Sequence, residues 1–412
     1  MTRAVAIIDG EHYPDVVRDA LAELPYDFCV AVLVGGKEKL RGGETYGVPL
    51  APALEEAVAG HSPDVVVDLS DEPVLGPAER FRLASRALAL GLPYVGADFR
   101  LDPPVFAPLD VPSIAVAGTG KRVGKTALTG KLARLAAETR DVAVVSMGRG
   151  GPPEPEVVER PPTVDELVAR SRAGAHAASD YLETAVTAGV VTVGCRRCGG
   201  GLAGDTWMSN VLEGLALVAA RRPELVICDG SGAAVPPVAA DARVLVASAR
   251  QGAEIVTGYL NAYRILISDL VVLTMAGDGA SDVARAIREV KDVPVVACDL
   301  RLRALGPLRG RRTAVFTAGP AATDHLDAEI VHASASLADR AILGEELARI
   351  DAEVYLVEIK AAGIDVVAET ARSRGAEVVF ADNEPVPLPG EADLETALRS
   401  LVQNALKEPA AV

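Results

Sequence analysis

A chain of 412 residues, 50% of them hydrophobic, is too long for one ordinary domain and has ample material for buried cores. Its formal net charge of −16 excludes a general nucleic-acid or membrane-surface binder, since either needs a net basic face; basic residues are therefore expected to be local and purposeful. Five scattered cysteines make no disulfide framework, no apolar run reaches the ~18 residues of a spanning helix, and no basic, cleavable leader opens the chain, so a cytoplasmic location is expected.

The first predicted strand, 5–8, leads into the turn Asp9-Gly10-Glu11-His12-Tyr13 and a helical pattern over 14–24. Apolar runs at 29–34, 65–69 and 94–95 alternate with helical patterns at 54–58 and 78–90, which predicts a small Rossmann-like α/β domain over 1–108. Its tail, the proline-rich passage 103–112, reads as a stiff linker. A second domain, 109–308, carries predicted strands near 114–117, 142–146, 190–193, 225–228, 244–246, 270–273 and 295–297. A third, 309–412, repeats the alternation with 314–316, 354–357 and 378–380. The expected fold is α/β, with a central P-loop NTPase-type parallel sheet domain flanked by two smaller α/β domains.

The strong motifs sit at the ends of the middle domain's strands, where open parallel sheets bind ligands. Gly118-Thr119-Gly120-Lys121-Arg122-Val123-Gly124-Lys125-Thr126-Ala127 follows strand 114–117, opens the helical pattern 127–138 and reads as a phosphate-binding loop. In such a loop Lys125 reaches the β- and γ-phosphates and the Thr126 hydroxyl holds Mg²⁺. Gly118 stands one residue further from Gly124 than the strict spacing allows. After strand 225–228, Asp229-Gly230-Ser231-Gly232 has the Walker-B arrangement, a carboxylate able to hold Mg²⁺ opposite Thr126; simple turn initiation is the plainer alternative. The stretch Thr274-Met275-Ala276-Gly277-Asp278 lacks the Asn-Lys-x-Asp pattern that reads guanine, which favours ATP.

Other stretches carry weaker signals. Cys195 and Cys198 form a C-x-x-C without a second ligand pair, and the intervening Arg196-Arg197 with the following glycines describe an anion-binding loop better than a zinc or redox site. Arg149 lies between Gly148 and Gly150-Gly151, which leave it open to a ligand. Glu154 and Glu156 are either metal contacts or a solvated acidic stretch. His176 and Asp180, four apart on an expected helix, are a substrate contact or a surface pair. Lys360 is either catalytic or, as the plainer reading, a strand-end ion pair, and His12 is either a substrate or domain-interface residue or, more plainly, a loop histidine satisfied locally.

The irregular loop spacing and the acidic-Gly-Ser-Gly run resemble the dethiobiotin-synthetase branch of P-loop proteins. The likeness extends through Asp9-Gly10-Glu11-His12-Tyr13-Pro14, Met147-Gly148-Arg149-Gly150-Gly151-Pro152, His176-Ala177-Ala178-Ser179-Asp180-Tyr181, Gly194-Cys195-Arg196-Arg197-Cys198-Gly199-Gly200-Gly201, Gly230-Ser231-Gly232-Ala233-Ala234-Val235-Pro236-Pro237, Glu358-Ile359-Lys360-Ala361-Ala362-Gly363 and Asp382-Asn383-Glu384-Pro385. Together these stretches resemble the cyclic 2,3-diphosphoglycerate synthetase family over nearly the whole chain. The resemblance implies an ATP-dependent ligase that closes 2,3-diphosphoglycerate into its cyclic anhydride, releasing ADP and phosphate. It implies catalytic roles for Lys125, Lys121, Arg149 and Asp229, and nucleotide contacts from Gly118 to Ala127. Substrate would meet Arg149, His176, Arg196, Arg197, Gly200 and Ser231, and metal would meet Thr126, Asp229 and Glu154. The expected cofactors are ATP and Mg²⁺ with K⁺ as a further candidate, and the expected assembly is a homodimer without nucleic-acid or membrane partners. Two alternatives stay open: a kinase that stops at phosphoryl transfer to a phosphoglycerate-type anion, and a deviant P-loop switch ATPase.

Overall fold

The computed structural model describes residues 1–407. They fall into two compact units. One gathers residues 1–105, 253–267 and 285–292; the other holds 106–252, 268–284 and the described residues from 293 onward.

The first unit is built on a six-stranded sheet of β1 (Thr2–Ile8), β2 (Tyr26–Leu33), β3 (Leu50–Ala51), β4 (Val65–Asp68), β5 (Tyr94–Val95) and β6 (Arg100–Leu101), in the order β3-β2-β1-β4-β5-β6. All pairs but the last are parallel. The run Ala4 to Ile8 is fully buried, as a parallel strand covered on both faces must be. The turn after β1 is closed by Asp9, which accepts from the backbone N–H groups of Glu11 and His12 and lies 2.9 Å from His12 Nδ1. The loop histidine is therefore satisfied locally, as its position in the sequence implied.

The second unit carries β7 (Ser113–Gly118), β8 (Val142–Gly148), β9 (Glu156–Val158), β10 (Val191–Cys198), β11 (Met208–Ser209), β12 (Leu225–Asp229), β13 (Ala242–Ser248), β14 (Leu270–Thr274), β15 (Val295–Ala304), β16 (Arg312–Phe316), β17 (Glu329–Ser334), β18 (Val354–Glu358) and β19 (Glu377–Pro387). They form one continuous sheet, β11-β10-β8-β12-β7-β13-β14-β15-β19-β18-β16-β17, with β9 pairing beside β10. The last segment thus extends the central sheet instead of making one of its own. The hinge of that extension is β15. Its first half, Val295 to Cys298, is fully buried and runs parallel to β14. From Asp299 onward polar and apolar residues alternate, and the strand pairs antiparallel with β19.

A second device ties the last segment to the helix Lys125–Ala137. Lys131 pairs with Glu384 at 2.7 Å, Arg134 with Asp382 at 3.1 Å, and Arg303 with Asp382 at 3.0 Å. Asp382 is 4% exposed and serves both arginines, and Glu384 pairs with both as well, so Asp382→Ala should cost about 1–2 kcal/mol by leaving two half-buried guanidiniums to share Glu384 with Lys131; a thermal or urea melt measures it.

The proline-rich stretch expected as a stiff linker is docked from Phe106 onward. Ala107 donates to Pro237 O and its carbonyl accepts from Ala239 N–H, while the Arg243 guanidinium sits 4.9 Å over the Phe106 ring. Among the described residues no helix is long and apolar enough to cross a membrane.

Candidate active site

Lys125, Asp229, Arg149 and Arg197 all leave the carboxyl ends of neighbouring strands. The sheet order β10-β8-β12-β7 sets side by side the strands that end in Arg196-Arg197, Gly148-Arg149, Asp229-Gly230 and Gly118-Thr119. Gly118 closes β7, and its missing side chain is filled by Lys125: a Cβ there would stand 2.8 Å from Lys125 Cδ and 3.0 Å from Gly232 O. Lys125, the first residue of its helix, is thereby folded back over the strand end and left only 9% exposed.

The loop is pinned from two further strands. Thr274, at the end of β14, donates to Val123 O at 2.7 Å. Gln251 accepts from the Thr119 hydroxyl at 2.6 Å, and also from Ser248 N–H at the end of β13. Neither pin was legible as functional in the sequence. A polar residue closing a buried strand was the available signal, and it is the same signal that marks Asp229. Lys121 and Arg122 stand exposed at the tip of the loop, with Arg122 in the left-handed region at φ 61°.

Gly232 is the meeting point of the arginines. It has φ 62°, and a Cβ on it would lie 2.8 Å from Arg149 Nη2 and 3.4 Å from Arg197 Nη2. Arg197 donates to Gly199 O and Ser231 O, both at 2.7 Å, and Gly200 flanks its Nη1. No carboxylate pairs with either arginine in the described ion pairs, and burial together with the neighbouring Arg149 depresses Arg197's pKa. Two guanidiniums converging without a paired carboxylate, in a chain of net charge −16, have the chemistry to hold an anion.

Lys125 shares that field. Burial lowers its pKa, and Arg149 and Arg197 push the same way against Asp229 and Asp180. Asp229 is 2% exposed, and its Oδ1 has no hydrogen-bond partner. Burial pushes its pKa up to about 7, opposed by Lys125 and reinforced by Asp180 and Glu183. A buried carboxylate with an orphaned oxygen, beside a phosphate loop whose Thr126 begins the helix, is an oxygen donor set of the kind Mg²⁺ takes when waters and phosphates complete its shell. Among the described residues no three His, Cys, Asp or Glu cluster at ligand spacing, so the donors do not make an all-protein cage.

The other expected residues take varied places. Arg196 is half-buried, with its backbone N–H on Asn210 Oδ1, and no described bond carries its side chain to Gly232. His176 does not share a helix with Asp180: that helix begins at Asp180 behind the N-cap Ser179, because Gly174 and Ala175 end the previous turn. The His176 ring instead lies against Gly150, 3.9 Å from a Cβ placed there. Glu154 is exposed on the loop before β9, whereas Glu156 is committed to a bidentate pair with Arg170 and a bond from the Tyr181 hydroxyl. Cys195 and Cys198, three apart on one strand, cannot face the same way; Cys195 is buried against Gly214 and Cys198 is exposed. Trp207, 94% exposed, lies across Gly199 and was not singled out from the sequence. Lys360 pairs with Glu183 at 2.8 Å, the ion pair its position implied.

Three family models cover nearly the whole chain: the N-terminal domain of cyclic 2,3-diphosphoglycerate synthetase over residues 3–102, its P-loop domain over 113–301 and its C-terminal domain over 308–384. A cyclic 2,3-diphosphoglycerate synthetase from Rubrobacter xylanophilus is 49% identical over 416 residues, covering 93% of this chain and 94% of that one. The same enzyme from Pyrococcus abyssi is 41% identical, covering 98% of this chain and 99% of its own. Among solved structures, LpxK from Aquifex aeolicus in complex with ATP aligns over 74% of this chain and 91% of its own, with 15% identity and a TM-score of 0.42. The chain belongs to the cyclic 2,3-diphosphoglycerate synthetase family of ATP-dependent ligases.

Proposed function

We propose that the protein uses ATP to join the two phosphates of 2,3-diphosphoglycerate into a cyclic anhydride, releasing ADP and inorganic phosphate. The observation that carries this reading is the convergence of Lys125, Arg149 and Arg197 about Gly118 and Gly232, a cluster of cations beside a buried carboxylate. In the first step an oxygen of one substrate phosphate attacks the γ-phosphorus, and ADP leaves. In the second, an oxygen of the other substrate phosphate attacks the phosphorus of the activated one, and inorganic phosphate leaves as the ring closes. Catalysis is alignment and charge neutralisation, because phosphate oxygens are already ionised and need no strong base. Lys125 holds the β,γ end of ATP, Arg149 and Arg197 hold the acceptor phosphates, Lys121, Arg122 and His176 stand at the edge of the site, and Arg196, on the other face of its strand, adds positive charge from a distance. Mg²⁺, held by Thr126 and Asp229, supplies further neutralisation of the triphosphate when bound.

The same reading takes the chain as a cytoplasmic homodimer with domains at 1–108, 109–308 and 309–412, a division supported by the three family spans. K⁺ is kept as a candidate activator and Glu154 as a candidate outer metal contact.

³¹P NMR of the products made from ATP and 2,3-diphosphoglycerate tests the reaction. A cyclic pyrophosphate resonance with stoichiometric inorganic phosphate is expected. A stable phosphorylated acid without ring closure means a kinase, and ATP turnover indifferent to the acid means a switch ATPase.

The raised pKa of Asp229 adds a pH signature. The deprotonated carboxylate is the ligand, so below about pH 7 a proton competes with the metal; Mg·ATP affinity should climb up to about tenfold per unit from about pH 6 and level off by about pH 8. Fluorescent-nucleotide titrations check this, with Asp229→Asn weak and flat across the range. A wild-type affinity independent of pH would remove Asp229 from the metal site.

A further inference from the structure

The C-terminal segment meets the helix Asp180–Ala188 through Lys360. Glu358, which ends β18, is 8% exposed and fixed by the Ala318 N–H and the Asn383 side-chain amide. The chain turns directly from it, Lys360 N–H donating to Glu358 O at 2.8 Å, so Lys360 starts from a rigid strand end. Its Nζ lies 2.8 Å from Glu183 Oε2, and the Glu183 side chain is 16% exposed against 43% for the lysine. Glu183 stands one turn along the helix Asp180–Ala188 from Asp180, on the same face. Asp180 Oδ2 in turn comes within 3.9 Å of where a Cβ would stand on Gly148, the residue before Arg149. On the other flank, Ala361 and Asp365 share with His176 a cavity of about 230 Å³, and the His176 ring abuts Gly150. The glycines on either side of Arg149 thus face Asp180, three residues before the Glu183 that Lys360 holds, and His176, which lines one cavity with Ala361 and Asp365.

We propose that Lys360 is a positioning residue: by holding Glu183 it keeps the Asp180 end of the helix against the Gly148–Arg149 turn, so that Arg149 stands where the acceptor phosphate needs it. The proposal rests on the reaction proposed above. Lys360 also balances a buried carboxyl group whose pKa burial raises. The pair is asymmetric, because losing the lysine strands a buried acid, whereas losing the acid leaves a half-exposed lysine free to turn to water.

Steady-state kinetics on both substrates, with thermal melts, for Lys360→Met, Lys360→Arg, Glu183→Gln and the Glu183→Gln/Lys360→Met pair provide the test. Lys360→Met should raise KM for 2,3-diphosphoglycerate about tenfold or more and leave KM for ATP within about twofold; Lys360→Arg should restore the value to within about threefold. Glu183→Gln alone should cost less than Lys360→Met, and the double variant should recover much of the loss. A Lys360→Met protein that only melts lower, or whose two KM values rise together, overturns the proposal. Should the wild type make no cyclic product, the proposed reaction falls, and calorimetric binding of 2,3-diphosphoglycerate still decides the role of Lys360: a Kd unchanged by Lys360→Met overturns it.

Discussion

Lys125→Met should lose about a thousandfold in kcat, about 4 kcal/mol of transition-state stabilisation, the largest single effect expected in this chain. The side chain is nearly enclosed, its stem lies over Gly118, and its charge is opposed by burial and by two arginines while Asp229 and Asp180 favour it. Such a cation is costly in the empty pocket and becomes favourable when triphosphate oxygens surround it. Nucleotide affinity should therefore fall together with kcat, while the ligand-free variant should melt close to the wild type, the relief of a buried cation offset by the loss of Asp229's main positive neighbour. Lys125→Arg should not rescue, because the longer, planar guanidinium replaces a compact ammonium at a position only 9% exposed. Single-turnover kinetics and a ligand-free melt measure both halves of this expectation.

Arg149→Ala should raise KM for 2,3-diphosphoglycerate about 10–100-fold, the worth of one or two charge-assisted hydrogen bonds, with KM for ATP little changed. Arg197→Ala should do the same and in addition lower the melting temperature, since Arg197 also ties Gly199 O to Ser231 O. The double variant should lose less than the sum of the two, because the guanidiniums oppose one another at Gly232 and removing either relieves the other. Lysine at either position should recover little, since it offers a point charge where the pocket presents a fork. Kinetics split by substrate, with calorimetry for the acid, checks the set; equal losses for ATP and for the acid would place these arginines on the nucleotide instead.

The parts of the fold written in long apolar runs were legible in the sequence. β7, β8, β12 and β14 each announce themselves as four or more buried residues ending in glycine or a polar group, and the phosphate loop and Asp229 fall where those strands end. The short edge pieces β9 and β11 have too few residues to show a period, and β17 mixes histidine, serine and glutamate into its alternation. The switch of β15 from parallel to antiparallel pairing is visible as buried Val295–Cys298 giving way to alternating Asp299–Arg303, but which strand it then meets is a long-range matter that a local pattern does not carry.

The same division holds for the site. Arg149 stood out because glycines surround it, yet its partner at Gly232 follows from sheet order alone. Arg196 and Arg197 look equivalent in the sequence, and strand alternation separates them: only Arg197 is placed against Ser231 and Gly232. Thr274, at the end of β14, and Gln251, in the turn after β13, reach the phosphate loop from segments distant in sequence, so nothing near Lys125 pointed to them.

The decisive measurement is a crystal structure of the protein with 2,3-diphosphoglycerate and a non-hydrolysable ATP analogue bound together. The expected result is one occupied pocket, with the γ-phosphate on Lys125 and a substrate phosphate oxygen within about 3–3.5 Å of the γ-phosphorus, held by Arg149 and Arg197. Substrate seated only in the residue 1–105 unit or the C-terminal segment, with Arg149 and Arg197 facing solvent, would contradict the shared phosphate-loop and arginine pocket.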